Sequence, residues 1–240
     1  RALLDPEPKI NKNENINMCG FVAAFSFDGS PIHHSKVLEM GNTISHRGPD
    51  DDGEYQSEWF SMAFKRLSII NTDMSGHQPM VINDIATGRE LVCIFNGEIY
   101  NFENLRLSLQ AHGYEFLTES DTEVLIKSYL MWGEQCVEKF IGMFSFVIVD
   151  ITNSSVFAAR DHLGVKPLYY AIIDGTFYFV SEIKALAPVT DFSLNKNKIL
   201  EQIAYRYVAG EETIFHEVKR LLPGYYIKFK RDGEVIHGNY

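Results

Sequence analysis

Met18-Cys19-Gly20-Phe21-Val22 begins the first strongly apolar run of the chain, residues 19–27. Residues 1–17 are polar and asparagine-rich, and everything after them reads as folded protein. A cysteine on the first residue of a first strand, with glycine next to it, is an unusual place for a merely structural thiol. If Cys19 is a nucleophile, other parts of the chain must supply a base and oxyanion donors.

The surrounding composition narrows the options. The chain has 240 residues, 45% of them hydrophobic, enough for one large domain or two small ones with a substantial core. A formal net charge of -10 leaves no basic face for a duplex, so nucleic acid is excluded as a partner. Cys19, Cys93 and Cys136 are odd in number and far apart, which gives neither a disulfide framework nor a paired metal motif. Cys93 and Cys136 read as buried small hydrophobes, and a reducing cytoplasm fits. No apolar run approaches the ~20 residues that span a bilayer, so no membrane partner is expected. Residues 1–18, with Asp5, Glu7 and Glu14 and no apolar centre, are not a secretory signal; they read as a polar leader, a propeptide or an added tail.

Working outward, residues 19–27 predict a buried strand closed by Asp28-Gly29-Ser30-Pro31. Residues 35–45 carry apolar side chains at helical spacing. Residues 46–53 read as a polar loop with turn glycines at Gly48 and Gly53, residues 54–64 as one strand, 66–71 as its extension and 72–79 as loop. A short apolar strand at 91–95 runs into Asn96-Gly97, which predicts a turn. Residues 102–112 follow as an amphipathic helix stopped at Gly113. Ser120-Asp121-Thr122-Glu123 has capping-box form and opens a helix through Trp132. Strands at 143–151 and 156–160 pair, hairpins form around Asp174-Gly175 and Asp232-Gly233, and residues 195–207 look helical. Strands joined by tight turns outnumber crossovers. The fold class is α+β with largely antiparallel sheets.

Searches for phosphate loops, dinucleotide fingerprints and serine elbows return nothing. The eight histidines lack metal spacing, and Asp50-Asp51-Asp52 reads as a solvated turn rather than a cation site. No metal is expected. What remains is Cys19 and polar residues at strand ends. A free α-amine on Cys19, with an ordinary pKa of about 7.7–8.0, suits a general base. Asn96, through its amide NH2, and Gly97, through its backbone N–H, could form a two-donor oxyanion hole. Arg66 can grip a carboxylate in bidentate fashion. Glu98 and Asp121 can pair with an ammonium. Glutamine carries that set of groups together with a cleavable amide.

The chain resembles the N-terminal glutaminase domain of class II glutamine amidotransferases, and most closely the asparagine synthetase type. The resemblance is carried by Met18-Cys19-Gly20, HRGPDDDG at 46–53, RLSIIN at 66–71, FNGEIYN at 95–101, SDTEV at 120–124, GMFSFVIVD at 142–150, RDHLGVKPLYY at 160–170, SEIKAL at 181–186 and LLPGYY at 221–226. It implies a four-layer αββα sandwich of the N-terminal-nucleophile hydrolase type over residues 19–240, with a core at 19–190 and a segment at 191–240 leading toward a synthetase domain. It implies that Cys19 forms a glutamyl thioester, that Asn96 and Gly97 are the oxyanion hole, and that Arg66, Leu67, Ser68, Ile69, Ile70, Glu98 and Asp121 bind L-glutamine. Arg47, Asp50, Arg160 and His162 read as bracing residues. The glutaminase needs no cofactor; ATP and Mg2+ are implied for a synthetase domain that receives the ammonia, whose SGGxDS-type loop does not occur in these residues. Relatives are often homodimers.

Two other readings stay open from sequence. The same glutaminase could feed a sugar phosphate, phosphoribosyl pyrophosphate or a natural product. Alternatively, with residues 1–18 retained, the domain could be a non-catalytic glutamine-binding or docking module. In the family the cysteine becomes the N-terminus, so the bond between Met18 and Cys19 is where the enzyme and the module part.

Overall fold

The computed structural model describes residues 18–27, 29–67, 76–231 and 233–240. Among these residues twelve strands form two six-stranded sheets in which every pairing is antiparallel. The first sheet holds β1 (Gly20–Ser26), β2 (Asp51–Gln56), β3 (Phe60–Arg66), β8 (Tyr169–Ile173), β9 (Thr176–Val180) and β10 (Val218–Arg220), in the order β10-β8-β9-β1-β3-β2. The second holds β4 (Met80–Asp84), β5 (Arg89–Ile99), β6 (Gly142–Asp150), β7 (Ser155–Arg160), β11 (Tyr225–Lys230) and β12 (Ile236–Asn239), in the order β12-β11-β7-β6-β5-β4.

Period-two alternation sorts the side chains into layers. Phe21, Ala23 and Phe25 of β1 join Val92 and Ile94 of β5 and Val147 and Val149 of β6 between the two sheets. Val22 and Ala24 face the other way, toward Val37, Met40 and Ile44 on and after α1 (His34–Asn42). Leu91, Cys93 and Phe95 face outward to Leu105 and Leu109 of α2 (Phe102–Ala111) and Val124 to Ile126 of α3 (Asp121–Trp132). The order of layers is helix, sheet, sheet, helix pair, the αββα arrangement. Both faces of the central strands are apolar because both are covered, which is why β1 and β6 read as continuous hydrophobic runs. Phe25 anchors the middle layer, with ring centroids of Trp59, Phe60, Phe179 and Phe229 between 5.6 and 6.1 Å away. A fourth helix, α4 (Lys196–Tyr205), is capped by Asn195, whose side chain accepts from Lys198 N.

Several local expectations change. Residues 54–64 are not one strand but parts of β2 and β3, joined by a tight turn at 57–59. The acidic run is not a turn either: Asp51 and Asp52 begin β2, Asp51 lies 2.7 Å from the His77 ring and Asp52 pairs with Lys65 at 2.9 Å. Gly53 is likewise a strand glycine, needed because a Cβ there would lie 1.6 Å from the Gln78 carbonyl oxygen. The strands β4 and β10 were not foreseen, being a short edge strand with alternating exposure and a three-residue strand. The capping box is half formed. Ser120 accepts from Thr122 N at 3.1 Å, but the Glu123 carboxylate turns to Leu117 N, Thr118 N and Lys127 instead of back to Ser120. The leader at 1–17 and the extension at 68–71 lie outside the described residues. Among the described residues no helix is long and apolar enough to cross a membrane.

Candidate active site

Cys19 stands one residue ahead of β1, at the end of the first sheet. The Leu67 N–H donates to its Sγ at 3.3 Å, and Sγ lies 3.5 Å from the Leu67 carbonyl oxygen. The Cys19 carbonyl accepts from Arg47 Nε at 3.0 Å, while Arg47 Nη1 holds Glu182 at 2.8 Å. Arg47 is buried in the short helical turn Ser45–Arg47, so what reads as a polar loop is a brace under the cysteine backbone. Burial pushes the Cys19 thiol up; the Leu67 N–H and the cations of Lys166 and Arg66 pull it down without outweighing burial. The thiol therefore keeps its proton near neutrality and needs a base to react.

The second sheet contributes β5. Asn96-Gly97 does not turn: β5 runs through both to Ile99, in register with β6 (Asn96 with Ser145, Gly97 with Phe144, Glu98 with Met143). Glycine is required at 97 by close approach, since a Cβ would lie 2.2 Å from the Met143 carbonyl oxygen and 2.7 Å from Phe144 Cα. Backbone N–H groups alternate from edge to edge along an antiparallel strand, so those of Phe95, Gly97 and Ile99 point the same way. The partner strand β4 ends where Met80 meets Cys93, which opens that edge beyond it. There Phe95 N donates to Gln78 Oε1 at 2.6 Å and Ile99 N to Asp121 Oδ2 at 3.1 Å. The Gly97 N–H lies between them and is aimed into the pocket they frame. Asn96 is buried, and its Nδ2 has no hydrogen-bond partner among the described residues. An unsatisfied buried amide costs about 1–3 kcal/mol, which a ligand oxygen would recover.

Asp121 is the first residue of α3 and sits beside Glu98. Burial, opposed by the Ile99 N–H and reinforced by the Glu98 charge, lifts its pKa to about 6. Two carboxylates held this close form a natural seat for an ammonium. Arg66, at the end of β3, is buried against Gly76, where a Cβ would fall 2.3 Å from its Nη2.

A single pocket gathers Cys19, Arg66, Leu67, Asn96, Gly97, Glu98 and Asp121. Ser68, Ile69 and Ile70 lie outside the described residues. Sequence reasoning missed Gln78, Thr122 and Lys166, which also line the pocket. Gln78 could not be found from sequence, because it stands in a stretch read as loop and acts only through contacts to Phe95 N and Thr122. Lys166 lies inside the RDHLGVKPLYY stretch with Arg160 and His162, where nothing in its spacing sets it apart from them.

A family model described as a glutamine amidotransferase domain matches residues 18–240. Among curated relatives, the glutamine-hydrolyzing asparagine synthetase 1 of Bacillus subtilis strain 168 is 37% identical over 227 residues, covering 93% of this chain and 35% of that one. The glutamine-hydrolyzing asparagine synthetase of Zea mays is 41% identical over 172 residues, covering 71% of this chain and 28% of that one. The chain thus spans about a third of the length of these relatives. Among solved structures, the glutamine phosphoribosylpyrophosphate amidotransferase from Bacillus subtilis, complexed with ADP and GMP, superposes with a TM-score of 0.69 at 16% identity, over 92% of this chain and 49% of that one. That likeness is one of fold.

Proposed function

The chain belongs to the glutamine amidotransferase domain family, and on that premise we propose that it hydrolyses the side-chain amide of L-glutamine at Cys19. The observation that carries this is the convergence in one pocket of a thiol, an unpartnered amide NH2 on Asn96 and an open-edge N–H on Gly97. In the active form Cys19 is the N-terminus. Its α-amine takes the Sγ proton as Sγ adds to the amide carbon, and the oxyanion rests on Asn96 Nδ2 and the Gly97 N–H. Collapse expels the amide nitrogen, which leaves as ammonia with the proton returned by the amine. The same amine then takes a proton from water as hydroxide adds to the thioester carbon; collapse breaks the C–S bond, releases glutamate, and returns the proton from the amine to the Cys19 thiolate. Arg66 holds the α-carboxylate, Glu98 and Asp121 hold the α-ammonium, and Leu67 lines the pocket beside them. No cofactor enters these steps.

The ammonia acceptor is proposed from the relatives: aspartate, activated with ATP and Mg2+ in a synthetase domain toward which residues 191–240 lead. The test is ammonia and glutamate release from glutamine by the chain beginning at Cys19, beside its Cys19→Ala variant. Equal amounts of both products from the parent, and none from the variant, are expected. A folded chain with a free Cys19 that releases no ammonia contradicts the proposal. For the acceptor, amide-labelled glutamine given to the whole protein with aspartate, ATP and Mg2+ is expected to label asparagine; label remaining in free ammonia with every aspartate concentration contradicts that choice.

A further inference from the structure

Lys166 is a buried ammonium, 5% exposed, that lines the pocket. The ammonium's one hydrogen bond among the described residues goes to the thioether of Met18, from Nζ to Sδ at 3.3 Å, and no described carboxylate lies within ion-pair distance of it. A thioether is a weak acceptor, so this cation is buried without an ion-pair partner among the described residues. Burial pushes its pKa down, with Arg47 adding to the push, and the Cys19, Asp161 and Glu98 charges draw it back up. The loop that carries it is built to hold it there. Asp161 spends its carboxylate on four backbone N–H groups, those of Phe144, Leu163, Val165 and Lys166, at 2.9–3.1 Å. Arg160 donates to the carbonyls of Gly164, Lys166 and Leu221 at 2.6–2.7 Å. Both fix the Lys166 backbone, and Asp161 reaches its ammonium only as a nearby charge, without an ion pair.

Met18 is joined to the nitrogen that becomes the α-amine once Cys19 is terminal. Lys166 lines the same pocket as Met18 and Cys19, and its charge reaches the thiol of the residue whose nitrogen becomes that base. We propose that Lys166 is a positioning residue that keeps the Cys19 α-amine unprotonated, and so ready to accept the thiol proton, by like-charge repulsion. This rests on the glutaminase reading and adds to it the group that poises its base. Other charges face the same point. Arg47 lies under the Cys19 carbonyl but is matched by Glu182, and Asp161 is taken up by backbone N–H groups. Arg66, Glu98 and Asp121 are the groups that the substrate's own carboxylate and ammonium engage. With Glu98 engaged by the substrate ammonium, Lys166 keeps a charge in this pocket that no ion pair among the described residues neutralises. It also draws the Cys19 thiol downward against burial, in the direction that helps the same proton transfer.

The experiment is the pH profile of kcat for glutamine hydrolysis, where bound substrate already holds Asp121 ionised. The parent is expected to lose kcat on the acid side with an apparent pKa below 7, under the ordinary α-amine value of about 7.7–8.0. Lys166→Met, similar in length and uncharged, should move that limb up by about one pH unit, a roughly tenfold loss of kcat at pH 6.5 that largely disappears above pH 9. Lys166→Arg should restore the parental limb. An active parent whose limb lies at 7.7 or above overturns the inference without any variant. So does a Lys166→Met limb that stays in place, or a loss uniform across pH that Lys166→Arg does not reverse. A parent that releases no ammonia at any pH overturns the glutaminase reading itself, and this one with it.

Discussion

Asp121→Asn should make the protein more stable and a worse enzyme, and both effects can be sized from the structure. Ionised Asp121 is held beside Glu98 in a largely buried position, and its pKa rises from 3.8 to about 6. Each tenfold change in proton affinity is about 1.36 kcal/mol, so the ionised carboxylate costs the fold up to about 3 kcal/mol. The sign follows from the raised folded-state value. The folded protein holds this proton more tightly than the unfolded chain, so stability falls as pH rises from 3.8 to 6 and is flat beyond. Asparagine keeps the oxygen that accepts from Ile99 N and removes the charge. Denaturant titrations of parent and variant should differ by about 2–3 kcal/mol at pH 8 and by well under 1 kcal/mol at pH 4, with unchanged m-value. The substrate ammonium loses a charge-assisted contact of about 1.5–3 kcal/mol, a rise in glutamine KM of about 10- to 150-fold. The parent itself should show KM rising as pH drops below 6, as Asp121 takes up its proton. A variant less stable than the parent at pH 8, a gain that does not change with pH, or an unaltered KM would refute the reasoning.

Three further outcomes are expected. Asn96→Ala should lower kcat about 10²–10³-fold while leaving the melting temperature nearly unchanged, because Nδ2 has no hydrogen-bond partner among the described residues to lose; circular dichroism melts beside initial rates check it. Phe25→Ala, which removes the ring at the centre of the inter-sheet layer, should cost about 3–5 kcal/mol by urea denaturation. Glu123 accepts from Leu117 N, Thr118 N and the Thr118 hydroxyl, and these bonds with Lys127 lower its pKa despite burial. Its contribution is therefore present above the unfolded value and lost as pH falls through the lowered one. Glu123→Gln should cost about 1–3 kcal/mol at pH 7, with the gap to the parent closing in acid.

Much of this was readable in the sequence because burial on both sheet faces writes long apolar runs at residues 19–27, 91–95 and 143–151. Those runs gave the central strands and located Cys19, Asn96 and Gly97 at their ends. The Asn-Gly pair misled, since its usual meaning is a turn. Here glycine serves a close approach by Met143 and Phe144 across the ladder, a demand set by a strand nearly fifty residues away. The single strand at 54–64 hid a tight turn because Tyr55, Trp59 and Phe60 are aromatic on both sides of it. Lys166 and Gln78 escaped notice for a different reason. Their meaning is entirely tertiary: one is a cation whose ammonium has a thioether as its hydrogen-bond partner among the described residues, the other an amide that blocks the N–H two residues before Gly97.

The most direct measurement is labelling of the chain that begins at Cys19 by a glutamine-mimetic diazo ketone, followed by intact mass and peptide mapping. One adduct per chain, on Cys19, slowed by excess glutamine and absent from Cys19→Ala, is the predicted result. An adduct on Cys93, Cys136 or any other residue, or none at all on folded protein, would contradict Cys19 as the nucleophile.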